Sequence, residues 1–124
     1  MLAVLDRYVA DRLARSPSVS KPVDRVRTAL LDELRAGEPT AAGVATRLKV
    51  SVRSLNRILS DEGTTYRELI DQVRQELVSH YLGDRRVSIG ETAFLLGFSE
   101  LSAFYRAFHR WTGQTPAEFR QGLH

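Results

Sequence analysis

Apolar side chains recur at helical spacing along most of the chain, and no stretch of useful length alternates between apolar and polar positions. The first apolar stripe predicts a helix over residues 2–15, and it is formed by Leu2, Leu5, Val9 and Leu13. Residues 16–22 contain two prolines and three serines and predict a linker. Helical periodicity resumes over residues 23–36, and Gly37 and Pro39 predict the end of that helix.

Capping residues and glycines divide the rest of the chain into further helices. Thr40 and Ser51 are suited to cap helices that end near Leu48 and Glu62. Capping boxes, each a Ser or Thr followed three residues later by Glu, begin at residues 65, 88 and 115, and the first opens a long helix to about residue 82. Another helix is predicted from residue 99 or 100 to about 112, between turn glycines at 97 and 113. The pattern predicts an all-α fold of about seven helices, plus the N-terminal helix over residues 2–15.

A unit of short helix, tight turn and longer helix occurs twice, and the two copies can be aligned. The spacing is 48 residues from Ala45 to Ala93 and 49 residues from Arg57 to Arg106, so the second copy has one extra residue near its turn. The aligned residues are Ala45, Leu48, Val50, Leu55, Arg57 and Leu59 in the first copy, and Ala93, Leu96, Phe98, Phe104, Arg106 and Phe108 in the second. This repetition predicts two helix-turn-helix subdomains joined by the long helix.

Each aligned position has a physical role in such a unit. The alanines let the two helices cross closely, and the apolar residues around the turn fill the space behind it. Apolar pairs four residues apart, Leu55 with Leu59 and Phe104 with Phe108, predict the buried face of each second helix. The opposite faces are polar and can reach base edges and phosphates in a major groove. These candidate residues are Arg53, Asn56, Arg57 and Ser60 in the first copy, and Ser102, Tyr105, Arg106, His109 and Arg110 in the second.

An exposed helix face that bears arginines is, taken alone, an ordinary solvated surface. The alternative role for Arg57 and Arg106 is a structural salt bridge, for example with Glu62 or Glu100. A generic helical bundle, however, gives no reason for the same unit to occur twice. The predicted long helix of about 18 residues would span about 27 Å, and successive major grooves on one face of DNA lie about 34 Å apart. The sequence therefore favours two reading heads, by which we mean the second helix of each helix-turn-helix unit, that enter adjacent major grooves.

Composition narrows the class of function. The net charge is +3, and all but Lys21 and Lys49 of the 18 basic residues are arginine, which suits bidentate contacts with phosphate and guanine. The absence of cysteine and the wide spacing of the histidines argue against thiol chemistry and a metal site, and no motif assembles a catalytic group. No apolar run approaches the ~18 residues of a membrane span, and Asp6 and Arg7 interrupt any signal-peptide pattern. The sequence predicts a cytoplasmic protein that is not an enzyme and needs no cofactor.

Several stretches of the chain resemble the signature of AraC/XylS-type transcription regulators. GETAFLLGFSE at residues 90–100, SAFYRAF at 102–108 and WTGQTPAEFR at 111–120 resemble the second half of that family's DNA-binding domain. The run at residues 51–57, with GTTYREL at 63–69 and Val73-Arg74, resembles the first half. The resemblance covers about residues 22–121.

This resemblance implies a function and a set of contacts. It implies sequence-specific binding of double-stranded DNA in two consecutive major grooves and transcription regulation, more often activation than repression. It implies that Arg53, Asn56 and Arg57 contact DNA from the first unit, and that Leu101, Ser102, Tyr105 and Arg106 do so from the second. Many family members also have an N-terminal domain that binds a small-molecule effector and dimerises. RNA polymerase is the implied protein partner.

The resemblance also implies a division of the chain. Residues 1–21 are interpreted as an N-terminal helix and linker left from an absent sensor domain, and residues 22–122 as the DNA-binding domain. That domain divides into a first unit at 22–64, a linker helix at 65–82 and a second unit at 83–122. The N-terminal stripe either mediates weak pairing or is the apolar face left by the absent domain, so a monomer or weak dimer is predicted. The competing hypothesis is a helical protein-interaction module that contacts the transcription machinery.

Four residues depart from the family pattern. Lys49 occupies the turn position where the second copy has Gly97, and a positive φ there would cost about 1 kcal/mol. Ala41 and Gly43 make the first short helix less apolar and less helix-prone. Thr92 occupies a position that is commonly aliphatic. We therefore predict that the first unit is the less stable of the two.

Overall fold

A computed structural model describes residues 21–123, which form seven α-helices and no strand. The helices are α1 (Pro22–Ala36), α2 (Ala41–Leu48), α3 (Val52–Asp61), α4 (Tyr66–Leu82), α5 (Ile89–Leu95), α6 (Leu101–Thr112) and α7 (Pro116–Gln121). The predicted all-α class is confirmed. The predicted helix at residues 2–15, most of the predicted linker and His124 lie outside the described residues. Within residues 21–123, no helix is long and apolar enough to cross a membrane.

The chain divides into two compact units, with the boundary inside α4, after Val73. In the first unit α1 packs against both α2 and α3, and α2 packs against α3. The core of this unit is aliphatic, because the periodic positions of each helix carry Val, Leu or Ala. Its fully buried side chains are Val26, Leu30, Val44, Leu55, Leu59 and Val73.

Polar side chains fix the start of α2 and its contact with α1. The Thr40 hydroxyl accepts a hydrogen bond from the backbone N–H of Gly43 at 2.9 Å, so the predicted N-cap is present. Glu33 on α1 accepts a hydrogen bond from Arg47 Nε on α2 at 2.7 Å. A Cβ at Gly43 would overlap the Glu33 carboxylate. The glycine that weakens α2 as a helix therefore leaves room for an ion pair that joins α2 to α1.

The second unit, which begins at Arg74, has an aromatic core. Tyr81, Phe104 and Phe108 are buried, and the Phe108 ring packs edge-on against Phe119 with centroids 5.3 Å apart. Trp111 is half-buried, and its ring centroid lies 6.3 Å from that of Phe108. In this unit α5 packs against α6. Aromatic packing thus replaces the aliphatic packing of the first unit around the same helix-turn-helix arrangement.

Both capping boxes predicted in the second unit are present. At α5 the Ser88 hydroxyl accepts from Glu91 N–H at 2.9 Å, and the Glu91 carboxylate accepts from Ser88 N–H at 2.8 Å. At α7 Thr115 and Glu118 form the same pair of bonds. Thr92 is fully buried, but its hydroxyl donates to the Ser88 carbonyl at 3.0 Å. Thr92 therefore replaces the commonly aliphatic residue without leaving its buried hydroxyl unsatisfied.

The segment between α4 and α5 is held by two arginines. Arg120 on α7 donates from Nε to the Leu82 carbonyl at 2.9 Å and from Nη2 to the Val87 carbonyl at 2.6 Å. Arg86 donates from Nε and Nη2 to the Asp84 carboxylate, both at 3.0 Å, and these bonds lower the pKa of Asp84. The Arg120 bonds attach α7 to the end of α4 within the second unit.

Candidate nucleic-acid interface

The same two backbone hydrogen bonds close the turn in each helix-turn-helix unit. The turn residue donates to the carbonyl three residues earlier, and its successor donates to the carbonyl five residues earlier. In the first unit the donors are Lys49 and Val50, at 3.1 and 3.0 Å. In the second unit they are Gly97 and Phe98, at 2.9 and 3.0 Å. The repeat recognised in the sequence is therefore also a repeat of backbone structure.

Both turns need a residue in the left-handed region of backbone space. Gly97 has φ of 81°, and Lys49 has φ of 59° and ψ of 40°. Lys49 is the only non-glycine residue with positive φ among residues 21–123. The turn that the sequence predicts to be costly for lysine does adopt the strained conformation, while its counterpart has the glycine that adopts it freely.

Helix α3 turns an apolar face inward and a polar face outward. Leu55 and Leu59 are fully buried, as their spacing predicted. Ser51 caps the helix by accepting from Ser54 N–H at 3.0 Å. The opposite face is exposed and carries two arginines. Its predicted DNA-contacting residues are Arg53, Asn56 and Arg57, with Ser60 beside them, and all four are exposed.

Helix α6 has the same division of faces. Phe104, Ala107 and Phe108 are buried against the rest of the unit. Tyr105 is 42% exposed, although its ring stacks on Phe104 with centroids 6.1 Å apart. The predicted residues on this helix are Leu101, Ser102, Tyr105, Arg106, His109 and Arg110, and all are exposed. The face therefore combines three basic or imidazole groups with an aromatic ring and a leucine.

The two equivalent arginines do not form the ion pairs that the alternative interpretation requires. Within the part of the chain that the structure describes, neither Arg57 nor Arg106 makes a hydrogen bond or an ion pair. The pairings with Glu62 and Glu100 are therefore not formed.

Residues 21–123 also contain no cluster of His, Asp or Glu suited to a metal ion.

Two exposed apolar residues add to the surfaces predicted from the sequence. Val52, the first residue of α3, is 41% exposed and lies 49 residues before Leu101, the first residue of α6, which is 43% exposed. The repeat spacing could have revealed this equivalence, but a search for polar groups omits Val52. Phe94 on α5 is 69% exposed, and no periodic signal in its short helix distinguishes it.

Comparison with known proteins identifies relatives of this chain. The family model described as a helix-turn-helix domain matches residues 44–122. The ornithine utilization regulator of Pseudomonas aeruginosa is 44% identical over 98 residues, covering 78% of this chain and 28% of the relative. Of solved structures, the transcriptional regulator CdpR from P. aeruginosa is 40% identical with a TM-score of 0.66, covering 88% of this chain and 37% of that one. A DNA-binding transcriptional dual regulator from Escherichia coli K-12 is 28% identical with a TM-score of 0.72, and the match covers 81% of this chain and 89% of that one.

The chain spans only 28% of the length of the ornithine utilization regulator and 29% of that of a second P. aeruginosa relative, the regulator VqsM. The relatives and structures named here are all transcriptional regulators, and none of them is named as an enzyme. This is the class of protein that the sequence predicted.

Proposed function

The chain belongs to the AraC/XylS-type helix-turn-helix family, and from this we propose that it binds double-stranded DNA sequence-specifically and regulates transcription. The observation that carries the proposal is the duplication: two units with identical turn hydrogen bonds each present an exposed polar helix face that includes an unpaired arginine. A single such face would be unremarkable as a solvated surface.

We propose distinct roles for the exposed residues of α3 and α6. Arg57 and Arg106 make bidentate contacts with guanine or hold phosphates, and Asn56 pairs with adenine, because these geometries match the major-groove edges. Leu101 contacts a thymine methyl group, and Val52 is its counterpart on α3. The remaining residues, which are Arg53, Ser102, Tyr105, His109 and Arg110, contact phosphates and sugars and fix the register on the duplex.

We further propose that the two units read consecutive major grooves, with residues 22–64 and 83–122 as reading units and residues 65–82 as the helix between them. The equivalence of the two turns supports a duplicated function, and activation of transcription in the cytoplasm is the mode typical of the family. Residues 1–21 would then be the end of a sensor domain, through which an effector and any dimerisation would act. The chain itself would be a monomer or a weak dimer.

Selection of bound duplexes from a random DNA pool tests the proposal, because the selection itself identifies the sequence that the protein prefers. Arg106→Ala should weaken binding to the selected duplex by about 1–3 kcal/mol and relax the preference at one position. Arg67→Ala, which removes the same charge from an exposed position on α4, is the matched control and should leave the preference unchanged. An unaltered affinity of the Arg106 variant would contradict the placement of α6 on the bases.

A second function, contact with the transcription machinery, is favoured by the exposure of Phe94. A phenylalanine that is 69% exposed is not packed in the core of its unit, so its ring is accessible to a protein partner such as RNA polymerase. Phe94→Ser should leave DNA affinity unchanged and lower transcription from a promoter carrying the selected duplex. Equal transcription with the Phe94→Ser variant and with the unaltered protein would remove the support for this contact. The steep salt dependence expected of DNA binding separates the two functions.

A further inference from the structure

Arg74, on α4, forms hydrogen bonds with the turn of the second unit. Its Nε donates to the Leu96 carbonyl at 2.7 Å, and its Nη2 donates to the Gly97 carbonyl at 3.1 Å. The guanidinium carbon lies 4.0 Å from the centroid of the Phe98 ring. One half-buried side chain thus contacts three consecutive residues of the turn that leads to α6.

These contacts are of a kind that holds backbone firmly. Carbonyls at the end of a helix lack intrahelical donors, and Leu96 and Gly97 follow the end of α5. A guanidinium satisfies them with charge-assisted hydrogen bonds, and its positive charge is favourable at the negative end of the helix dipole. Its planar face can stack on Phe98 at the same time, which a lysine ammonium could not reproduce.

The turn transmits this restraint to α6 through aromatic packing. The Phe98 ring lies 5.6 Å from the Phe104 ring and 6.5 Å from the Trp111 ring, measured between centroids. Phe104 is fully buried one residue before Tyr105, on the first turns of α6. The orientation of the proposed DNA-contacting face therefore depends on how firmly Phe98 is held, and Arg74 covers Phe98.

The first unit has no arginine at the position that corresponds to Arg74. The 48-residue repeat pairs Arg74 with Val26, which is fully buried and has no side-chain donor. A mostly apolar cavity of about 120 Å³ adjoins Val26, and its lining includes Leu48 and Val50, the counterparts of Leu96 and Phe98. The contacts of Arg74 with Leu96, Gly97 and Phe98, which we call the arginine clamp, are therefore a feature of the second unit. The turn itself does not require them.

We infer that Arg74 is a positioning residue for α6, which fixes the turn and thereby the DNA-facing side chains without itself touching DNA. The effect on affinity rests on the proposed function, whereas the effect on the turn does not. Loss of the clamp should raise backbone mobility in residues 97–112 and weaken specific binding. Because no phosphate contact is lost, the dependence of affinity on salt should keep its slope.

Arg74→Gln tests the inference, with Arg120→Gln as the matched control. Arg120 also clamps two backbone carbonyls in the second unit, but these belong to Leu82 and Val87 and not to the turn. Three measurements are made on the whole chain: thermal stability, amide hydrogen exchange without DNA, and affinity for a duplex recovered from a random pool by the unaltered protein. Arg74→Lys, which keeps the charge without the planar fork, serves if the glutamine variant does not fold.

We expect Arg74→Gln to speed exchange in residues 97–112 and to weaken binding roughly tenfold, with an unchanged salt slope. Arg120→Gln should lower thermal stability comparably and leave affinity unchanged, and Arg74→Lys should resemble the glutamine variant in a milder form. Equal loss of affinity in both glutamine variants would reduce Arg74 to a general structural role. A salt slope smaller by about 0.9 would make it a phosphate contact instead.

Unchanged exchange in residues 97–112 would overturn the inference whatever the affinity. If the unaltered protein recovers no duplex from the pool, the proposed function fails, and the exchange comparison still decides whether Arg74 fixes the turn.

Discussion

Replacement of Lys49 by glycine tests how the first turn stores strain. A non-glycine residue in the left-handed region costs about 1–2 kcal/mol, and Lys49 adopts that region with φ of 59°. Glycine removes this cost but loses about 0.5–1 kcal/mol more conformational entropy on folding. The Lys49 side chain is exposed and makes no hydrogen bond or ion pair within residues 21–123, so its removal sacrifices no contact. The expected net gain in the free energy of unfolding is therefore about 1 kcal/mol.

The assay has to report on the first unit, because a chain with two compact units need not unfold in one step. Amide hydrogen exchange of residues 41–61 measures the gain locally, and a thermal melt should show a midpoint higher by about 4–8 °C if the units unfold together. Lys49→Ala is the control, since it removes the same side chain but keeps a Cβ. Gly97→Lys is the reverse experiment and should destabilise the second unit.

The reasoning is refuted if Lys49→Gly and Lys49→Ala are equally stable, because the strain would then not lie in the backbone. Affinity adds a second check. Both variants lose the Lys49 charge, so any difference in DNA binding between them reports on the turn alone.

Three further outcomes are expected of the two units and of the chain that precedes them. Amides of residues 40–60 should exchange faster than those of 88–112, and the opposite order would contradict the first unit's lower stability. Ser88→Ala should cost about 1 kcal/mol in a denaturant melt by removing half of the α5 capping box, whereas Ser88→Asp should keep most of it. Without residues 1–20, the chain should keep its DNA affinity and sediment as a monomer at every concentration. Weaker binding by the shortened chain would show that the N-terminal segment takes part.

The helices and the buried faces could be predicted from the sequence because their signals are local. The box formed by Ser88 and Glu91 involves residues three apart, and its bonds form as expected. The buried pair Phe104 and Phe108 follows from a four-residue spacing on one helix. The exposure of the candidate DNA-contacting residues follows from the same periodicity, because whatever lies opposite a buried stripe faces solvent.

Contacts between distant positions could not be predicted in this way. Arg74 and Arg120 bond to backbone carbonyls 22 to 38 residues away, and a carbonyl acceptor imposes no residue type on its own position. In the sequence Gly43 indicates only a weak helix former, since the proximity of the Glu33 carboxylate arises only when α1 and α2 pack together. The spacing of the two reading heads on DNA is likewise set by tertiary structure, and it remains a prediction.

Base-interference footprinting on a selected duplex tests most directly the claim that this chain carries two reading heads. The experiment compares the unaltered protein with Arg57→Ala and Arg106→Ala. For the unaltered protein we predict two clusters of essential bases about 10 base pairs apart on one face of the duplex. Each variant should lose one cluster, and the two variants should lose different clusters. A single cluster, or loss of the same cluster in both variants, would contradict the account.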